Sequence, residues 1–180
     1  MKRLYALVLA LTLLLAFTPL TGCSQEEAGE TVRIYNWGDY IAPGVIELFE
    51  EETGIEVVYD TFETNEDMYL KLKNSSGYTY DVVIPSDYMI SKMLREDMLA
   101  EIDFNNVPNA AGIDERFKNL DYDPTGAYSV PYMWGTVGII YNETMVDEAP
   151  TSWADLWDPA YEQNLFMMNS VRDSIGITLK

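Results

Sequence analysis

The chain has 180 residues and carries 30 acidic side chains against 11 basic ones, a net charge of −19 at neutral pH. This excess of carboxylates argues against binding to a nucleic-acid backbone, which relies on lysine and arginine to neutralise phosphates. The lack of histidine excludes Ser-His-Asp and Cys-His catalysis and the common zinc sites, and the single cysteine excludes a disulfide within the chain.

The first 23 residues have the organisation of a bacterial lipoprotein signal. Lys2 and Arg3 precede an apolar run at 4–17 that is too short for a comfortable membrane span. The segment Leu20-Thr21-Gly22-Cys23 resembles the lipobox, in which the cysteine becomes the lipidated first residue of the mature protein. An ordinary secretory signal with a chance cysteine is the alternative. Without these residues the chain keeps nine basic and 30 acidic side chains, a net charge of −21.

Residues 24–30 contain no hydrophobic side chain larger than alanine and are predicted to form a flexible tether. Strand and helix signals then alternate. Strands rich in β-branched and aromatic residues are predicted at 31–35, 55–62 and 81–85. Helices are predicted to begin near Pro43, at an Asn65 cap and at a Ser86 cap, and Gly54 is predicted to end the first of them.

This alternation predicts an α/β fold whose parallel sheet is covered by helices on both faces. Ligands of such sheets lie outside the carboxyl ends of the strands. In this chain those ends are followed by residues 36–40, 63–65 and 86–88. We therefore expect any small-molecule site to be built from these three segments.

The second half of the chain gives weaker local signals. Residues 104–128 are predicted to be loop-rich with one helical turn near 114–118, and residues 129–142 to be an extended segment crossing between two lobes. A short helix is predicted from Ser152, with Asp155 at a capping-box position, followed by a strand at 164–168 and a helix at 170–179. Because nothing follows this helix for it to pack under, the chain is expected to be a fragment.

The sequence supports neither a calcium-binding loop nor a catalytic pair of carboxylates. The segment Asp121–Gly126 spaces its oxygen atoms as an EF-hand calcium loop does, but position twelve is Tyr132 instead of glutamate, and Pro124 interrupts the loop. An ordinary turn is therefore predicted, with no metal and no cofactor. A pair of carboxylates could serve a glycosidase, but nothing in the spacing selects two of the 30 acids.

The remaining signal is a set of aromatic and acidic side chains at the predicted strand ends, among them Trp37, Asp39 and Tyr40. An ammonium group over an aromatic ring gains about 0.5–2 kcal/mol, and a charge-assisted bond to a carboxylate is about twice as strong as a neutral one. A flexible diamine or triamine would use both contacts. On composition alone, packing of Trp37 and Tyr40 in the core or at its rim is an equal alternative.

Several ordered motifs resemble the spermidine/putrescine-binding proteins of bacterial ABC importers. These motifs lie at 35–41, 43–44, 49–55, 65–72, 80–88, 129–135 and 151–157. The resemblance implies a type II periplasmic-binding fold of two lobes that closes on a polyamine and delivers it to a permease. The first lobe would comprise 31–135 and the second would begin at 136–180. A monomeric, non-enzymatic protein anchored through Cys23 in the periplasm or at the cell surface is implied.

The resemblance also implies site residues in the first lobe. Trp37, Asp39 and Tyr40 would line its wall, with Trp37 stacking on the alkyl chain and Asp39 binding an amine. Ser86 and Tyr88 would add hydrogen bonds and another aromatic face. The neighbouring 64–65 segment is given no role.

In the second lobe, the family carries acids before and after an arginine. Here Asp173 supplies the later acid after Arg172, while Asn169 and Ser170 stand where family members often carry aspartate. This difference is expected to weaken amine binding or to change which polyamine is preferred. Further site residues would lie beyond Lys180, so the chain alone is expected to bind weakly and to expose an apolar surface.

Three other functions stay open at this point. The same fold could bind another organic cation, thiamine, ferric iron or a sugar. A surface-anchored hydrolase with a carboxylate pair is a second alternative, and a ligand-sensing lobe of a receptor is a third. Aromatic side chains mixed with carboxylates favour an organic cation over these.

Overall fold

The computed structural model describes residues 29–75 and 79–180, and its first half is an α/β unit. Three parallel strands, β1 (Thr31–Trp37), β2 (Glu56–Phe62) and β3 (Val82–Val83), form one sheet in the order β2-β1-β3. The predicted parallel sheet and its three strands are thus confirmed. The predicted signal, Cys23 and most of the tether lie outside the described residues.

The described part of the chain contains four α-helices: α1 (Val45–Thr53), α2 (Asn65–Asn74), α3 (Asp87–Arg95) and α4 (Val171–Thr178). Gly54 ends α1 in the left-handed region at φ 72°, and its N–H donates to the Glu50 carbonyl, as its position predicts. Short 3₁₀ helices occupy Phe104–Asn106, Pro108–Gly112, Glu115–Phe117, Trp153–Trp157 and Pro159–Tyr161.

The core lies between the sheet and helices α2 and α3. Its buried apolar side chains are Tyr35, Phe62, Met68, Tyr69, Met89 and Met93. The Tyr35 ring meets Phe62 edge to face at 5.0 Å and stacks on Tyr80 at 4.5 Å. Such aromatic pairs contribute about 0.5–1.5 kcal/mol each beyond their buried area. These contacts hold Tyr35 against the core. Trp37, the last residue of β1, lies two residues further on and therefore on the same face of the strand.

Helices α2 and α3 are joined by a charged network around Glu96. The Glu96 carboxylate accepts hydrogen bonds from Lys92 Nζ at 2.6 Å, from the Tyr69 hydroxyl at 2.7 Å and from Lys73 Nζ at 2.9 Å. The Lys92 ammonium also lies 4.0 Å from the Tyr69 ring centroid. These three donors, with Lys92 first, lower the pKa of Glu96 to about 2.

Some local predictions are wrong in detail. The N-cap of α2 is Thr64, whose Oγ1 accepts from the Asp67 N–H at 3.1 Å, so Asn65 is the first helical residue and not the cap. Ser86 does stand at the N-cap of α3, but its hydroxyl bonds to a side chain instead of the helix. The third strand was predicted at 81–85, but only Val82–Val83 pair with the sheet, and Val82 is 44% exposed.

The predicted strand at 164–168 is wrong. These residues lie outside the sheet and are exposed, with Phe166 at 97%. The apolar run at 129–142 is likewise largely exposed and has neither helix nor strand structure. The predicted short helix after Ser152 is confirmed as a 3₁₀ helix, with the Asp155 carboxylate accepting from the Ser152 N–H at 2.9 Å. The predicted last helix is confirmed as α4.

The turn at Asp121–Gly126 is organised around Asp123, which is only 2% exposed. Its carboxylate accepts from Ser129 Oγ at 2.8 Å, from the Tyr128 N–H at 3.0 Å and from Thr125 Oγ1 at 3.2 Å. Burial acts to raise the pKa of Asp123, but these bonds outweigh burial and lower it. The carboxylate therefore serves the turn itself.

Candidate functional site

The carboxyl ends of the three strands meet at one edge of the sheet, as the topology predicts. Trp37 ends β1, half-buried, with its ring 4.6 Å from Phe62 and 5.8 Å from Tyr40. The Tyr40 ring in turn lies 6.4 Å from Tyr132, whose hydroxyl donates to the Tyr40 carbonyl. These rings form an aromatic wall beside the end of β1.

Asn65 links the ends of β2 and β3. Its Oδ1 accepts from the Ser86 N–H at 3.0 Å, and its Nδ2 donates to Ser86 Oγ and to Tyr88 Oη, both at 3.0 Å. A backbone N–H can only donate, so the bond from Ser86 fixes which end of the amide is oxygen. Asn65 is 4% exposed, so three hydrogen bonds hold a nearly buried side chain in one orientation.

The Tyr88 hydroxyl proton is directed towards Glu66. Tyr88 Oη donates to Glu66 Oε1 at 3.0 Å, while it accepts from Asn65 on its other side. Burial first, and then the bond to Glu66, raises the pKa of the Tyr88 phenol to about 12. The phenol therefore stays protonated at neutral pH. Its free lone pair can accept a further hydrogen bond, but its proton is already in use.

The start of α4 approaches the same tyrosine. Ser170 caps α4 by accepting the Asp173 N–H at 3.3 Å, and the Arg172 guanidinium lies 4.9 Å from the Tyr88 ring centroid. The negative charge of Asp173 is near enough to contribute to the raised pKa of Tyr88. A cavity of about 540 Å³ opens here, lined by Glu66, Tyr88, Val171, Arg172, Ile175, Gly176 and Leu179.

The predicted site residues differ in how they are held. Trp37, Tyr40, Ser86 and Tyr88 all lie at the strand ends, and Ser86 and Tyr88 are joined through one side chain. Asp39 is exposed in the turn after β1 and makes no hydrogen bond or ion pair with the other described residues. Asn169, in the second half of the chain, is also exposed.

Sequence reasoning missed two residues of this arrangement. Asn65 received no role because an asparagine before a helical pattern is ordinarily a cap. Glu66 was not singled out, since one acid among 30 carries no signal by itself. The available clue was position: both begin the helix that follows the end of β2, where the fold places ligands. Within residues 29–75 and 79–180, acidic side chains form no group of three that could hold a metal ion.

Comparison with known proteins agrees with this architecture. The chain is 41% identical over 152 residues to the spermidine/putrescine-binding periplasmic protein of Salmonella typhimurium. The matched region covers 84% of this chain and 44% of that protein. A Listeria monocytogenes protein provisionally named as a spermidine/putrescine ABC transporter superposes with a TM-score of 0.80 at 43% identity, covering 84% of this chain and 47% of that one.

The spermidine/putrescine ABC transporter substrate-binding protein PotD of Streptococcus pneumoniae superposes with a TM-score of 0.64 at 51% identity, covering 74% of this chain and 41% of that one. The chain thus spans less than half the length of the relatives it matches. Each helix in the described ranges is too short or too polar to cross a membrane.

The sequence profile of one family matches residues 44–180. The chain belongs to that family, the bacterial extracellular solute-binding proteins.

Proposed function

We propose that this chain is the polyamine-binding part of an extracytoplasmic solute-binding protein that captures spermidine or putrescine and delivers it to an ABC importer. The observation that carries the proposal is the direction of the hydrogen bonds at the strand ends. Asn65 donates to Ser86 and Tyr88, and Tyr88 donates to Glu66. The names of the matched relatives support the same substrate class.

These directions favour a ligand that donates hydrogen bonds. The Tyr88 oxygen keeps one lone pair and no free proton, and the Glu66 carboxylate can only accept. An ammonium group has donors and no acceptor, so it complements the Tyr88 oxygen and the negative charge that Glu66 places beside it. At Tyr88 and Glu66 a carboxylate or phosphate ligand would face acceptors, and among the described residues Arg172 is the one basic side chain that lines this cavity against the net negative charge of the chain.

The proposed roles follow the side-chain chemistry. Trp37 packs on the methylenes of the polyamine, Tyr40 and Tyr88 add aromatic faces, and Ser86 supplies a hydroxyl. Asp39 and Asp173 bind amino groups, with Asn169 and Ser170 as polar neighbours of the second acid. An exposed cation–π contact is worth about 0.5–1 kcal/mol and a desolvated one about 2 kcal/mol, so binding needs several contacts together.

The setting of the protein is part of the proposal. Lipidation of Cys23 would anchor it to the membrane in the periplasm or at the cell surface, with residues 24–30 as tether. Residues 31–135 would form the first lobe and 136–180 the start of the second. The protein would act as a monomer that contacts the permease and carries out no catalysis.

The test is a calorimetric titration of spermidine and then putrescine into the complete gene product lacking residues 1–23. Saturable binding at micromolar concentration or tighter is expected, and it should be lost in Trp37→Ala and strongly weakened in Asp39→Asn. A folded protein that releases no heat with either amine would overturn the proposal. Binding of thiamine or a sugar in the same assay would then identify the solute class.

A further inference from the structure

We propose that Glu66 is a positioning residue of the amine site, because it accepts the hydrogen bond from the Tyr88 hydroxyl and thereby makes Tyr88 an acceptor with a fixed ring. This inference rests on the proposed polyamine function. Glu66 does not need to touch the ligand in this role. It acts through Tyr88, whose oxygen lies 3.0 Å from Glu66 Oε1.

The geometry leaves the Tyr88 hydroxyl one direction for its proton. Asn65 Nδ2 points a proton at the oxygen from 3.0 Å, so the phenol cannot also donate towards Asn65. The amide cannot be turned over, because its oxygen is held by the Ser86 N–H at 3.0 Å. Glu66 is then the acceptor that satisfies the phenol proton. Together Asn65 and Glu66 determine both hydrogen bonds of Tyr88.

A carboxylate at this position changes Tyr88 in two ways. A charge-assisted hydrogen bond is stronger than a neutral one, so the ring is held more firmly. Donation to an anion also leaves the phenol oxygen and ring richer in electrons, which favours a cation above the ring. The Arg172 guanidinium lies over the Tyr88 ring at 4.9 Å from its centroid, a contact of the same cation–π kind.

Glu66 is placed for this role by the start of α2. Thr64 caps the helix and brings Glu66 into its first turn, where the backbone N–H groups favour a negative charge. Glu66 is half-buried and lines the cavity shared with Tyr88 and Arg172. Its neighbour Asp67 is exposed and bonds to the Thr64 hydroxyl instead. Two adjacent acids therefore have separate tasks, one at the cap and one at the tyrosine.

The experiment is a double-mutant cycle on spermidine affinity in the complete gene product lacking residues 1–23. Glu66→Gln keeps the side-chain shape and removes the charge, and we expect it to weaken binding about tenfold, as for loss of a hydrogen bond to a charged group. In a Tyr88→Phe background the same change should alter affinity by less than about twofold, because its partner is gone. Glu52→Gln, an exposed acid on α1, controls for the loss of one negative charge.

Equal weakening in both backgrounds would overturn the proposal, since Glu66 would then act on the ligand directly. No weakening in either background would overturn it as well. A second measurement needs no ligand. NMR of protein with tyrosines labelled at the Cζ carbon follows the titration of Tyr88, and the Tyr88→Phe variant assigns its signal. The Tyr88 pKa should be lower in Glu66→Gln than in the parent, and an unchanged pKa would contradict the hydrogen bond.

The two readouts separate this inference from the proposed function. If no polyamine binds the parent protein, the proposed function fails, and the tyrosine titration still decides whether Glu66 accepts a hydrogen bond from Tyr88. If polyamines bind but the cycle shows no coupling, the function stands and only the positioning role fails. Unfolding by urea, measured on each variant, shows that affinity changes do not come from loss of the fold.

Discussion

The Arg172 guanidinium lies over the Tyr88 ring, 4.9 Å from its centroid, and so joins the start of α4 to the start of α3. We expect Arg172→Met to destabilise the protein by about 0.5–1 kcal/mol, the range of a cation–π contact at an exposed site. Urea unfolding measures this change. Arg172→Lys, which keeps the charge without the planar group, should lose less, and equal losses in both variants would mean that the positive charge contributes nothing to this contact.

Loss of the Asn65 amide should be costly. Asn65→Ala leaves the Ser86 N–H without its partner and removes the donors to two hydroxyls, so we expect a destabilisation of about 2–4 kcal/mol. Asn74→Ala, at the exposed end of the same helix, is the matched control and should change stability by less than about 0.5 kcal/mol. Similar free energies of unfolding for the two variants would show that the Asn65 hydrogen bonds are not important for the fold.

Stability should fall in acid partly through Glu96. Its pKa is lowered from 4.5 to about 2, so the folded state favours the carboxylate. The resulting stabilisation is fully present above pH 4.5 and is lost as the pH falls towards 2. The difference in unfolding free energy between the parent and Glu96→Gln should therefore shrink over that interval. A difference that stayed constant between pH 7 and pH 2.5 would contradict the network.

Asp39 allows stability and binding to be separated. Its side chain is exposed and makes no contact with the other described residues that a neutral amide would disturb. Asp39→Asn should therefore change the free energy of unfolding by less than about 0.5 kcal/mol while it weakens spermidine binding about tenfold or more, as for a lost charge-assisted bond. Asp147→Asn, another exposed acid, should leave both quantities unchanged. Unaltered affinity in Asp39→Asn would remove this residue from the proposed site.

Gly38 has room for a side chain. A Cβ built there has no atom within 4 Å, and its backbone lies outside the left-handed region. Gly38→Ser should therefore fold normally and gain up to about 1 kcal/mol, since it restricts the unfolded chain. Gly54→Ser is the contrasting variant, because φ is 72° there, and it should be destabilised. Equal effects at both glycines would contradict the backbone conformations.

Local sequence signals were enough to predict the three strands of the sheet, their parallel arrangement and the edge of the sheet where the site lies. Val57, Val58 and Tyr59 mark β2 by residue type, and Gly54 ends α1 by its tolerance of the left-handed region. The role of Asn65 could not be predicted in this way. Its partners Ser86 and Tyr88 are 21 and 23 residues away, and only the pairing of strands brings them within hydrogen-bonding distance.

The apolar segment 164–168 shows the opposite error. Its residue types resemble a buried strand, yet a short apolar run predicts a strand only if a neighbouring strand can pair with it. In the described structure the sheet is β2-β1-β3, and residues 164–168 lie elsewhere with Phe166 almost fully exposed. The residue types predicted that this segment prefers a strand conformation, but they could not predict whether a partner strand was available.

The amide of Asn65 has a consequence for redesign. Because its nitrogen donates to two hydroxyls and its oxygen accepts from a backbone N–H, one nearly buried side chain decides that the Tyr88 oxygen meets a solute as an acceptor, with its proton directed at Glu66. Changing only the aromatic wall would leave that polarity in place. An engineer who wanted this scaffold to hold an anion beside Tyr88, in a biosensor for example, would have to rebuild position 65 before altering that wall.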